Sequence, residues 1–526
     1  MRLKTGNEMR RYLWAVGFLI ALLFMVDQPR GYAKEPRSAA EMRFDEAVAS
    51  PPDLRAFLQA MPKGADLHYH LTGGAYAENL ILAGANRGVC IDINKFIATP
   101  PPCDADHGLR PISNALHDAD LNRQIVDAWS MRGFVPDAGT TGHDQFFRTF
   151  NLFGGAVEQG ALIAEVSNRA AGERLIYMEL MTSLQTKAIK QIASNVTWTD
   201  DFGTMLDKLS SLGIARIVDN AVSDLDLLAQ ERKRILKCGQ YDSEPGCQVE
   251  VRYLMTTNRT ATPADVFAQT VFGFMLAKKD SRVVGVNFVA PEDFPVALAD
   301  YSLHMRMLNY LESKMPDVRV ALHAGELTLG LVTPEHLRSH IREAVVTGGA
   351  RRIGHGVDVM YEDRPYELLR ILADRHIAVE IALTSNRLIL GVAGRQHPFP
   401  VYRRFNVPLV IATDDEGVSR TDMANELVTA VTSYGLTYSD VISLERNSLE
   451  YSFLPGRSLW EDTTTWRLAT PCRESRRDRP SSACTALLKS SKKAELEWHY
   501  ELALEQFNAV ANWPRPKVHR GQPSPG

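Results

Sequence analysis

The sequence predicts an α/β fold, a closed parallel (β/α)8 TIM barrel with helical insertions and a C-terminal helical extension. Three observations point to it. Eight short apolar runs recur between Ala65 and Thr413, with helical patterns between most of them. Buried strands alternating with helices argue for a closed parallel sheet. Four segments rich in metal-ligand or proton-transfer chemistry each lie at or just after one of those runs. They are Asp66-Leu67-His68-Tyr69-His70, His323-Ala324-Gly325-Glu326, Gly354-His355-Gly356 and Thr413-Asp414-Asp415. In a parallel barrel the strand C-terminal ends share one face, so these segments would meet there. Finally, 526 residues accommodate one large barrel with insertions.

The elements follow in order. Residues 34–61 read as two short amphipathic helices separated by Pro51-Pro52. Pro62-Lys63-Gly64 breaks the second helix and introduces the first strand, Ala65 to His70. A long excursion runs from Leu71 to about Arg169. Its stretch Thr99 to His107 is rich in Pro and Asp and reads as loop, while Gln145 to Phe153 is aromatic and helical. The remaining strands start at Leu175, Val249, Val283, Val318, Arg352, Ile377 and Pro408. Between the fifth and sixth strands, Pro334 to Val346 reads as one helix opened by a Thr333 cap. Residues 62–456 thus form the barrel, and 457–526 the extension. In that extension Leu496, Tyr500, Leu504, Phe507 and Val510 recur at helical spacing. The expected role of that helix is packing against the barrel, with a dimer contact as the alternative.

Residues 1–33 stand apart. Arg2, Lys4, Arg10 and Arg11 precede the uncharged apolar stretch Tyr12 to Val26, and Gly31-Tyr32-Ala33 offers a small-x-small cleavage site. This is the three-part pattern of a secretory signal. The apolar stretch is shorter than the ~20 residues of a spanning helix, so no stable membrane anchor is expected after cleavage. The expected address is periplasmic or secreted. Six cysteines agree with it, falling into the local pairs Cys90 with Cys103, Cys238 with Cys247, and Cys472 with Cys484. Nearest-neighbour bonding is the simplest of the possible connectivities. A formal net charge of −4 gives no basic field for nucleic acid.

The constellation itself suggests metal chemistry. His68 and His70 alternate on a strand, so both imidazoles face one side. With His323 and Asp414 they offer a mixed nitrogen and oxygen set suited to one Zn2+. Such an ion would lower the pKa of a water toward ~7. Glu326 could donate a proton, and His355 could orient or deprotonate the water. Asp415 could turn toward the substrate where the strand ends. A metal-dependent hydrolase is the class implied. The histidines elsewhere, His143 and His340 among them, lack such a context and read as structural or surface residues.

These segments resemble the adenosine deaminase family, within the amidohydrolase superfamily. The resemblance rests on Pro62 to Leu71, His323 to Glu326, Arg352 to Gly356, Leu383-Thr384-Ser385-Asn386, His397-Pro398 and Thr413 to Glu416, in order. The signal and insertions are similar to the secreted, growth-factor-like branch. The resemblance implies one zinc held by His68, His70, His323 and Asp414. It implies Glu326 as the acid at the purine ring nitrogen, His355 assisting the hydroxide, and Asp415 holding the five-membered ring. The implied partner is a small purine nucleoside, and adenosine would become inosine and ammonia. Two positions depart from the family pattern. Thr72 stands where an aspartate commonly meets the ribose, and Ala290 where a glycine offers its amide to the purine. Phe146, Phe147 and Phe150 could form an apolar lid over the base or pack as an ordinary helix. The alternatives are an amidohydrolase for another amino-purine or cyclic amide, and an extracellular binding or signalling protein on the same fold.

Overall fold

Eight parallel strands pair in sequence order in the computed structural model, which describes residues 37–510. The leader with its cleavage site and the Gly521–Gly526 tail lie outside the described residues. The strands are β1 (Lys63–His70), β2 (Leu175–Thr182), β3 (Glu250–Asn258), β4 (Val283–Val289), β5 (Arg319–Ala324), β6 (Arg352–His355), β7 (Ala378–Ile381) and β8 (Leu409–Ile411). Most of their residues are buried, as those of parallel strands under a layer of helices must be.

The sheet curls until its ends meet. Tyr69 bridges to Asp414, whose amide donates to the His68 carbonyl at 3.0 Å. The His70 amide donates to the Asp414 carbonyl at 3.3 Å. The buried Asp66 adds a side-chain clasp: its Oδ2 accepts from the Thr413 amide at 3.1 Å and hydroxyl at 2.6 Å. First and last strands are thereby locked at the height where the chemistry lies.

Helices α1 (Ala39–Ala47) and α2 (Pro51–Ala60) precede the barrel, and a C-terminal helix, Lys492–Asn508, returns to them. Phe57 packs edge-on against Phe44 and Phe507, with ring centroids 5.7 and 5.3 Å apart. Leu496, Tyr500 and Leu504 of the C-terminal helix share a buried cluster with Ala65, Leu67 and Tyr177 of the barrel. That helix therefore packs on the barrel. No helix among the described residues is long and apolar enough to cross a membrane.

The three cysteine pairs are bonded as nearest neighbours. Cys90–Cys103 staples a small antiparallel sheet, Cys90–Asp92 with Ala98–Thr99 and Leu109–Pro111, inside the long excursion. Pro334 to Val346 is not one helix. A single 3-10 turn, Pro334–Leu337, gives way to a new helix at His340–Val346. The buried Glu362 carboxylate caps this second start by accepting from the Ile341 and Arg342 amides, which makes restarting cheaper than continuing.

Lys63 shows why Pro62-Lys63-Gly64 makes a good entry to β1. Its ammonium is fully buried and donates to the carbonyls of Leu58 (2.6 Å), Met61 (3.2 Å) and Glu173 (2.9 Å). It satisfies orphan carbonyls at the end of α2 and ties them to the turn before β2. Lys63→Met keeps the aliphatic stem and strips those acceptors of their donor. Urea unfolding is expected to show a loss of roughly 3–5 kcal/mol; a loss under about 1 kcal/mol would contradict this account.

Candidate metal and catalytic site

The C-terminal ends of β1, β5, β6 and β8 converge on a cavity of about 730 Å³. His68 and His70 leave β1, His323 leaves β5, and Asp414 follows β8. One ligand atom from each lies within 4.8 Å of every other. Asp414 Oδ1 is 3.5 Å from His68 Nε2 and 3.3 Å from His70 Nε2, and the Nε2 atoms of His70 and His323 are 3.1 Å apart. Two imidazole nitrogens that close, and a buried His68 Nε2 without a hydrogen-bond partner, are groups turned toward a shared centre. Three nitrogens and one carboxylate match the donors that zinc accepts.

Each ligand is aimed by a second residue. His68 Nδ1 bonds Glu380 of β7 at 2.6 Å, and His323 Nδ1 bonds the side-chain Oδ1 of Asn287 on β4 at 2.9 Å. With Nδ1 engaged, Nε2 of each ring is left for the centre. Ser385 donates to Asp414 Oδ2 at 2.7 Å. Glu380 in turn bonds Arg352, which also bonds Glu179 and stacks over the Phe453 ring at 3.8 Å. This buried chain of alternating charge runs beneath the site. The sequence carried one signal of it: a lone glutamate inside the apolar run Ala378-Val379-Glu380-Ile381. Asn287 gave none.

Burial, with repulsion from neighbouring imidazoles, lowers His323 far below its ordinary value. Burial likewise takes His70 down to about 4 and His355 to about 3 despite the Asp414 charge. Neutral rings with free lone pairs suit cation binding; His68 differs, because against the effect of burial the flanking Asp414 and Glu380 carboxylates raise it to about 10. Glu326 and Asp415 behave oppositely. Burial, then the Asp414 charge, holds both carboxyls well above the usual carboxylate range. Two carboxyls whose acid forms are favoured therefore face the cavity beside Asp414, whose ionised form the neighbouring imidazoles favour.

Backbone strain accompanies the site. Ala290 (φ 79°), His355 (φ 69°) and Asp414 (φ 63°) are left-handed non-glycine residues after β4, at the end of β6 and after β8. The left-handed Asp414 turns the chain so that both Asp414 and Asp415 line one cavity, which regular strand alternation would forbid. Asp415 needs room: a Cβ on Gly73 would lie 1.8 Å from its Oδ1. At Gly354 a Cβ would lie 2.5 Å from the His68 ring. Glycine is the residue that fits at each.

Thr72, Ala290, Glu326, His355 and Asp415 all line the cavity, as do Phe146, Phe147 and Phe150. Those rings stand on the helix Gly142–Phe153, their centroids 5.2 and 5.6 Å from that of Phe146. Two histidines read as structural from sequence have a place here. His143 lines the cavity and bonds Asp293 at 3.0 Å. His340 is buried and bonds Glu292 at 2.6 Å, whose carboxylate also accepts from the Gly325 and Glu326 amides. Glu292 thus holds the turn that carries Glu326.

Residues 216–459 match the family model described as adenosine deaminase. A curated adenosine deaminase of Mycobacterium ulcerans is 30% identical over 220 residues, covering 40% of this chain and 55% of that protein. One from Yersinia pseudotuberculosis is 36% identical over 138 residues, 26% of this chain and 38% of that one. The matched region spans about half the length of the first of these relatives. A crystal structure of Arabidopsis ADAL complexed with IMP superposes with a TM-score of 0.50 at 18% identity, covering 86% of this chain and 99% of that one. That likeness is one of fold. In residues 216–459, and in the set of His and Asp side chains gathered at the barrel mouth, the chain is thus similar to the adenosine deaminase family.

Proposed function

We propose that the protein is a zinc-dependent hydrolytic deaminase that converts adenosine, or a close adenosine derivative, and water to inosine and ammonia. The observation that carries the reading is the meeting of four candidate ligand atoms, within 4.8 Å of one another, beside the carboxyl of Glu326. His68, His70, His323 and Asp414 would hold one zinc ion. Bound there, zinc supplies Lewis acidity that lowers the pKa of a water from 15.7 toward about 7.

The other steps belong to the chain. Glu326, whose acid form burial and the Asp414 charge favour, gives a proton to the purine ring nitrogen beside carbon 6, which makes that carbon electrophilic. Attack there forms a tetrahedral carbon, and protonation of its amino group lets ammonia leave. The protonated Asp415 donates a hydrogen bond to a nitrogen of the five-membered ring. The phenylalanine helix covers the apolar face of the base and excludes water. Thr72 meets the sugar through an uncharged hydroxyl, and Ala290 offers its amide.

Thr72 and the Ala290 methyl favour one second reading: the same centre acting on another amino-purine, with weaker demand for ribose. Ammonia release from adenosine, deoxyadenosine, adenine and methylthioadenosine separates the two. We also place residues 62–456 as the catalytic unit. The work is done outside the cytoplasm, a location supported by the leader pattern and three disulfides.

Purified protein should change the absorbance of adenosine, and a strong chelator should abolish that change until zinc is restored; turnover indifferent to chelation would refute the zinc assignment. His68→Ala and Asp414→Ala are expected to lose the ion by elemental analysis. Glu326→Gln is expected to retain it while kcat falls by about 10²–10⁴-fold. Since the acid form of Glu326 is the active one, wild-type kcat should fall as pH rises through its raised pKa, and the residual activity of Glu326→Gln should lack that limb. Ala290→Gly relieves left-handed strain worth about 1 kcal/mol and removes a methyl from the cavity. A lower KM for adenosine with equal or greater stability is expected, and a higher KM would count against the placement of Ala290.

A further inference from the structure

A neutral imidazole has one donor and one acceptor nitrogen, and its partners decide which is which. A backbone N–H can only donate, so it gives an unambiguous starting point. The Phe399 amide donates to His397 Nδ1 at 3.1 Å, across the turn made by Pro398. Nδ1 therefore carries a lone pair. Burial lowers His397 to about 4, so the ring is neutral at neutral pH and its proton is on Nε2. That atom lies 3.1 Å from Asn386 Oδ1, which accepts. An amide whose oxygen is engaged on one side presents its NH2 on the other. Asn386 Nδ2 is 2.9 Å from His355 Nδ1 and donates to it. His355 Nδ1 is thereby an acceptor, and the ring proton is on Nε2. That atom has no hydrogen-bond partner and faces Glu326 Oε1 at 3.7 Å and Asp414 Oδ2 at 4.0 Å. His355, Asn386 and His397 are 1%, 0% and 2% exposed, so solvent does not scramble the order.

We propose that His397 is a positioning residue which, through the Asn386 amide, fixes His355 as an Nε2–H donor aimed into the site. A ring in that state donates to an atom on which negative charge builds. It has no lone pair at Nε2 with which to deprotonate a water. Proton transfer therefore falls to Glu326, and His355 stabilises charge on the tetrahedral centre. Only this kinetic consequence rests on the deaminase reading; the tautomer does not.

The test is the imidazole 15N spectrum of the zinc-loaded protein, with the His355 signals identified by their loss in His355→Gln. A pyrrole-type Nε2 and a pyridine-type Nδ1 are expected. In Asn386→Asp the carboxylate accepts from both rings, so the His355 pattern should reverse. Its kcat should fall on the order of 10²–10⁴-fold with little change in KM. His397→Phe keeps a buried ring but removes the donor, and should leave His355 with mixed signals. His397→Gln, whose amide can donate to Asn386, should restore part of the native pattern. A pyridine-type Nε2 in the unmodified protein overturns the proposal, as does a folded Asn386→Asp protein whose pattern does not reverse. Should Asn386→Asp not fold, the unmodified spectrum and His397→Phe decide. A protein that turns over no purine yet shows the expected pattern and its loss in His397→Phe retains the relay and loses the deaminase reading.

Discussion

The seam between the first and last strands is the constraint on which the site depends. Two backbone hydrogen bonds join His68 and His70 to Asp414, and Asp66 grips Thr413 just below. The same pairing that closes the barrel sets the distances between three of the four ligand residues. A register slip of one residue would turn His68 and His70 to the opposite face. The buried clasp of Asp66, whose other oxygen accepts from the His68 amide at 3.2 Å, opposes such a slip.

Beneath the seam lies a second layer that trades stability for aim. The chain from His68 through Glu380 and Arg352 to Glu179 buries full charges, which rarely adds net stability. Its benefit is orientation: each link leaves one atom of the next group pointing upward. The left-handed residues at the strand ends have the same character. Each costs conformational energy and swings a functional group inward. Stability comes instead from the strands and from the aromatic cluster at the other end of the barrel, where Phe44, Phe57 and Phe507 meet.

Much of this was legible in the sequence because it is periodic or local. Strands betray themselves as apolar runs, and the side chains that gather at the barrel mouth as histidines and aspartates at the ends of those runs. The bonded cysteines are near neighbours in the chain. What was not legible depends on distant partners. Nothing in the sequence around Asn287 says that it steadies His323, thirty-six positions later. His340 looked idle because its partner, Glu292, belongs to another turn. The helix expected from Pro334 to Val346 failed for a similar reason: a cap supplied by the distant Glu362 outcompeted local propensity.

Because the ligands come from both extremities of the barrel, His68 and Asp414 are 346 positions apart in the chain. No fragment that stops short of the eighth strand can assemble the cluster. Cation capture is therefore expected to come late in folding, after the slowest, most non-local contact has formed. An ion held there would act as a final latch: it would favour the finished ring over any half-built intermediate, and its residence would report directly on whether the chain has reached its end state.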